Sequence, residues 1–192
     1  MSVEGAAERP SRVLKREHQV ILRVIAVLEG LLDRQAAGEP PEVEALADCV
    51  TFFRLFADAC HHAKEEDLLF PGLEQRGVPR DGGPIGVMLS EHRVARQLVG
   101  SMAAALERLP RDPSAAHDVE SAGRDYIELL RQHILKEDNV LFAIGDQVMS
   151  EDDQSTLAKS FCEVGCRAFE GKRREEFERL AAELEERWST DS

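Results

Sequence analysis

The stretch His61-His62-Ala63-Lys64-Glu65-Glu66-Asp67-Leu68-Leu69-Phe70 returns 72 residues later as His133-Ile134-Leu135-Lys136-Glu137-Asp138-Asn139-Val140-Leu141-Phe142. Both copies read His-x-x-Lys-Glu, then an acidic residue, then Leu-Phe. A second doubled element precedes them, Glu17-His18-Gln19-Val20 and Glu91-His92-Arg93-Val94. His and Glu four residues apart share one helix face, one turn from each other. A doubled set of metal-binding side chains on helices points to a two-metal site.

The apolar pattern around these motifs sets the fold class. From Val13 to about Ala36 the stripe is Leu14, His18, Ile21, Ile25, Leu28 and Leu32, in the alternating steps of four and three that a bundle helix shows. Gly38, Pro40 and Pro41 break it, and a second helix from near Glu42 carries Val43, Leu46, Val50, Phe53, Ala57, His61, Glu65 and Leu68. The segment from Gly72 to Pro84 reads as a loop. A third helix follows, with Ile85, Met88, His92, Ala95, Val99, Met102, Leu106 and Leu109 on one face. After Pro110 and Pro113 a fourth, from Ser114 to Met149, carries Val119, Ala122, Tyr126, Leu129, His133, Glu137, Val140 and Ile144. The expectation is an all-α protein, an up-and-down four-helix bundle over residues 1–149. Residues 150–192 form a helical extension: Ser150 caps a fifth helix to about Glu170, and Gly171 separates it from a charged helix ending near Trp188. This tail packs on the bundle or forms the interface of a homodimer.

Axial height tests the site independently. In such a bundle each residue rises about 1.5 Å, so residues equally far from a connecting turn lie level. His18 is 18 residues before Ala36 and His61 is 19 after Glu42; His92 is 17 before Leu109 and His133 is 19 after Ser114. All four histidines fall in one layer.

The 192 residues, 43% hydrophobic, suffice for one well-cored domain. A formal charge of −13 argues against nucleic acid or an anionic membrane as a partner, which would call for clustered Lys and Arg. No run approaches the roughly 20 apolar residues of a spanning helix. Glu4, Glu8 and Arg9 stand where a secretory signal would need an apolar core, so a cytoplasmic location is expected. Cys49, Cys60, Cys162 and Cys166 are spaced as on helix faces and not as a disulfide framework; Cys162 and Cys166, one turn apart, have the spacing to bind a soft metal but lack third and fourth ligands, and are read as buried free thiols.

The candidate ligands are therefore His18, His61, Glu65, His92, His133 and Glu137. If each Glu bridges, each of two metals gains two imidazoles and two carboxylate oxygens, with room for an oxo or hydroxo bridge and one open position. Imidazole with carboxylate suits iron, and the carboxylates with a bridging oxide offset two ferric ions in an apolar core. His62, turned about 100° from His61, is expected behind the ligands or at the surface. A register pairing His62 with Glu66 has the same spacing; the repeat favours His61, because Phe70 and Phe142 each follow the chosen His by nine residues. Tyr126, two turns before His133, either fills ligand space, relays protons or electrons, or is a core tyrosine.

The order His18, His61-x-x-x-Glu65, His92, His133-x-x-x-Glu137 resembles the hemerythrin-like HHE cation-binding family over about residues 10 to 149. Lys64 to Pro71, Gly82 to Leu89 and Lys136 to Phe142 are similar to its bacterial branch. The resemblance implies a non-haem di-iron centre bridged by Glu65 and Glu137. Animal oxygen carriers of this kind have a fifth histidine one turn after the position of His92, where this chain has Arg96, and an Asp five residues after the last His, where Glu137 follows by four. The leading expectation is a protein that binds oxygen or a related small oxidant. Its rivals are an enzyme decomposing hydrogen peroxide or reducing nitric oxide, and an iron or oxygen sensor. Ferritin-like storage sites are poorer in histidine, the Gly-rich loop lacks a phosphate-binding ending, and no hydrolase arrangement is present.

Overall fold

The computed structural model describes residues 8–168 and 174–188 and folds them into six helices, with no strand among them. Helix α1 is Pro10–Ala36. Helix α2 spans 43–75 and is composite: α-helical Val43–Phe52, a wide i→i+5 stretch Phe53–His62, a second wide turn Glu65–Leu69, and a last α-helical turn Phe70–Gln75. Helix α3 is Pro84–Arg108. Helix α4 spans 115–148, with Ala115–Lys136, a wide turn Glu137–Leu141 and Phe142–Val148. Helices α5 (Glu151–Ala168) and α6 (Arg174–Trp188) complete the chain. Gly171 and the side chains of Cys162 and Cys166 lie outside the described residues.

Local chemistry explains the boundaries. Pro10 and Pro84 stand in first turns, where a missing N–H leaves no bond unmade. Gly38 (φ 95°) and Gly77 (φ 87°) adopt the left-handed conformation that ends α1 and α2 at no steric cost. The expected loop at Gly72 begins later, because the wide turn before Phe70 restarts the helix and leaves Pro71 in a first turn. At α5, Ser150 N–H donates to Asp153 Oδ2 (2.9 Å) and Asp153 N–H donates back to Ser150 Oγ (3.2 Å), a reciprocal cap.

Helix α1 packs on α2 and α4, α2 on α3, and α3 on α4, the cyclic order of an up-and-down bundle. Its buried apolar side chains form two clusters. On every bundle helix a polar layer divides them: His18 between Leu14 and Ile21, His61 and Glu65 between Cys60 and Leu69, His92 between Met88 and Ala95, Glu137 between Ile134 and Leu141.

The wide turns correct the expected stripes by one residue. Uniform 3.6-residue periodicity put Leu68 and Val140 inward, but Val140 is 50% exposed and Leu141 1%. Leu69 is buried and Leu68 only partly so. An i→i+5 turn inserts one residue, so the inward face resumes one position later.

Phe177, Ala181 and Leu184 of α6 are buried in the larger cluster, and Arg23 Nε donates to Glu185 (2.7 Å) across the α1–α6 contact. Leu184→Ala is expected to cost about 2–3 kcal/mol in urea unfolding, by loss of burial and the cavity left behind. A cost near zero would mean that α6 does not share the core. No helix among the described residues is long and apolar enough to cross a membrane.

Candidate metal centre

All six sequence-predicted side chains meet in the polar layer. Glu65 and Glu137 lie at its middle, fully buried on α2 and α4. Glu65 reaches towards His61 Nε2 with one oxygen (3.4 Å) and His92 Nε2 with the other (3.5 Å). One oxygen of Glu137 lies 3.2 Å from His18 Nε2 and 3.3 Å from His133 Nε2. These approaches lack hydrogen-bond geometry: both oxygens of each Glu, with His18 Nε2 and His61 Nε2, are buried without a partner.

The outward nitrogens are fully engaged. His18 Nδ1 donates to Asp138 (2.8 Å), His61 Nδ1 to Glu17 (3.0 Å), His92 Nδ1 to Glu66 (2.7 Å) and His133 Nδ1 to Glu91 (2.9 Å). A carboxylate on Nδ1 fixes the tautomer and aims Nε2 inward, as metal-ligating histidines require. Lys64 donates to Glu17 and Lys136 to Glu91. Phe142 stacks on His18 (centroids 5.5 Å apart) and Phe70 on His92 (5.9 Å).

Every repeated residue thus has a place. In each half, Glu-His supplies one inward imidazole and the carboxylate that steadies the other half-motif's His. His-x-x-Lys-Glu-acid supplies a second imidazole, a lysine, an inner carboxylate and an outer one. Sequence reasoning left Glu17, Glu91 and Asp138 without roles and weighed Glu66 only as an alternative ligand beside His62. The signal for them was the repeat itself, since each recurs with its histidine.

Electrostatics marks the same centre. Burial, then the charge of Glu137, drives the Glu65 carboxyl well above its usual range. For Glu137 burial also pushes upward, but His133 and His18 overcome it and hold that carboxyl well below. Burial would raise Glu17 as well, yet His61 and Lys64 hold it at about 2. Two facing carboxyls are thus driven apart in pKa, as happens when two acids are crowded into one buried site.

Of the two places expected for His62, the surface is excluded. The ring is buried and stacks on His92 with centroids 3.8 Å apart and planes at 17°. Both neighbouring imidazoles, at the end of the widened Phe53–His62 segment, are buried. Two groups of potential ligands result, each with donor atoms within 4.8 Å of one another: His18, His61, Glu65 and Glu137, and His62, Glu65, His92 and His133. Glu65 belongs to both. The pseudo-equivalent of His62 is Ile134, so the two halves are unequal.

Arg96, one turn after His92, donates outward to Asp58 (2.7 Å) and Glu66 (2.7 Å). Tyr126 is in neither group; it packs on Phe53 (4.7 Å), and burial raises its phenol pKa well above the usual value.

A helical bundle with a buried imidazole and carboxylate layer divided into two four-donor groups defines a helical metal-binding domain. The chain belongs to the hemerythrin HHE cation binding domain family, whose model matches residues 9–144. Uncharacterised proteins of Mycobacterium bovis and Mycobacterium tuberculosis are 29% identical over 154 residues, covering 77% of this chain; the match spans 58% of their own length. The iron-sulfur cluster repair protein YtfE of Salmonella paratyphi B is 35% identical over 85 residues, 43% of this chain and 39% of that protein. No solved structure matches.

Proposed function

We propose that this protein holds two non-haem irons through His18, His61, Glu65, His92, His133 and Glu137 and binds oxygen or a related small oxidant there. The observation that carries the reading is the set of six buried, partnerless donor atoms on His18, His61, Glu65 and Glu137. A fully buried polar atom without a partner costs about 1–3 kcal/mol, more when charged. A cation satisfies all of them at once, and mixed imidazole and carboxylate donors suit iron. A metal pair bound there would supply redox electrons and an open position for a small ligand. The chain's part is to hold the donors: Asp138, Glu17, Glu66 and Glu91 keep protons on the outward nitrogens, and Phe70 and Phe142 shield two rings. The buried free thiol Cys49 supports a reducing, cytoplasmic setting.

The unequal halves favour a second reading, an enzyme acting on hydrogen peroxide or nitric oxide, because unlike donor sets give two metals unlike potentials. Likeness to a protein named for iron-sulfur cluster repair is compatible with either reading.

Metal content and the optical spectrum of protein expressed with added iron and purified in air test the proposal. The expected result is about two irons per chain with near-ultraviolet charge-transfer bands, in keeping with two four-donor groups. Zinc alone, or no metal, would remove it. Peroxide turnover no faster than that of free iron would remove the enzyme reading and leave the binding one.

A further inference from the structure

Between α2 and α3 lies a cavity of about 200 Å³ that no part of the proposed centre accounts for. Exposed Arg54 and Arg96 stand at its mouth, and its walls are Phe53, Ala95, Val99 and Tyr126. Its floor is His62, the one side chain it shares with the two donor groups. The lining passes from exposed to buried, so the cavity runs from the surface to the His62, His92 and His133 half of the layer. A smaller void, beside Ser11 and Gln154, is about 10 Å³, room for about one water.

We propose that this cavity is the port by which an uncharged small oxidant reaches the centre, and that His62 is the side chain it meets on arrival at the His92 and His133 half. The inference rests on the di-iron reading above. Apolar walls admit a molecule with little hydration to lose and disfavour an ion. The mouth is latched by charge: Asp58 accepts from Arg96 (2.7 Å) and lies 3.4 Å from His62 Nδ1, joining rim to floor. On the other half Ile134 stands in place of His62.

Gly100 lines the cavity, and a Cβ added there would meet nothing within 4 Å. It touches none of the proposed ligands, so side chains can be grown from it into the void. The test is stopped-flow association of nitric oxide with the reduced, iron-loaded protein, followed by the change in its optical spectrum, in wild type and in Gly100→Ala, Gly100→Leu and Gly100→Phe. Iron content and the spectrum before mixing are measured on each. Association should be unchanged in the Ala variant, slower in Leu, and slower by about tenfold or more in Phe, a change within the span that mutation gives association rates. Iron content should stay at the wild-type value throughout. If Gly100→Phe does not fold, the Leu variant decides. Equal rates with equal iron would overturn the port and leave the di-iron reading standing. A wild type that holds no iron would overturn both.

Discussion

Glu65→Met is expected to empty both halves of the centre and, in metal-free protein, to raise the unfolding temperature. Glu65 is common to both donor groups, and the His62, His92 and His133 group has no other carboxylate. Removing it leaves that half with imidazoles alone and deprives the other of one of two carboxylates, so bound iron should fall below about a tenth of the wild-type amount. The stability arm has the opposite sign. In the metal-free chain the Glu65 carboxyl is fully buried, both oxygens lack partners, and burial with the nearby Glu137 disfavours its charge. Methionine is close to Glu in volume and buries no unpartnered polar oxygen, a penalty of about 1–3 kcal/mol that the variant sheds. At about 2–4 °C per kcal/mol for a chain of this size, the metal-free variant should melt measurably above metal-free wild type. Iron-loaded wild type should melt above its own metal-free form through binding linkage. Calorimetry of loaded and stripped forms checks both arms. A metal-free variant clearly less stable than metal-free wild type would mean that the layer is a self-sufficient polar network, not a cation site.

Much of this layer was legible because its logic is local. His61 with Glu65, and His133 with Glu137, are one turn apart on single helices, and loop-to-loop distances put all four histidines level before any packing is known. What was not legible depends on breaks in helical regularity and on contacts between helices. The wide turns at Glu65–Leu69 and Glu137–Leu141 shift the core from Leu68 to Leu69 and from Val140 to Leu141, and apolar periodicity contains no mark for an inserted residue. For His62 the sequence left two places open, and only the packing of α2 on α3, which stacks it on His92, excludes the surface. Glu17 is adjacent to His18 yet serves His61, 44 positions away. Adjacency in the sequence carries no mark of that partner; the exchange between helices appears only when α1 is set against α2.

The two copies of the repeat also differ in burial, and this separates two substitutions that sequence alone would rank together. Lys64 and Lys136 occupy the same place in His-x-x-Lys-Glu, and each donates to the Glu of a Glu-His pair. The Lys64 side chain is 4% exposed and its partner Glu17 is 0%, while Lys136 is 42% exposed and Glu91 17%. Lys64→Met leaves the Glu17 carboxylate in the interior without its ammonium, and removing one member of a buried pair costs about 3–5 kcal/mol. Lys136→Met leaves Glu91 near water, where a lost ion pair costs about 0–1 kcal/mol. Urea unfolding of the two metal-free variants should therefore differ by about 2 kcal/mol or more. Adding Glu17→Gln to Lys64→Met should recover part of the loss, since it removes the stranded charge while keeping a carbonyl oxygen to accept from His61. Equal costs for the two lysines would show that Glu17 is stabilised mainly through His61, and the buried lysine would lose its part in the centre.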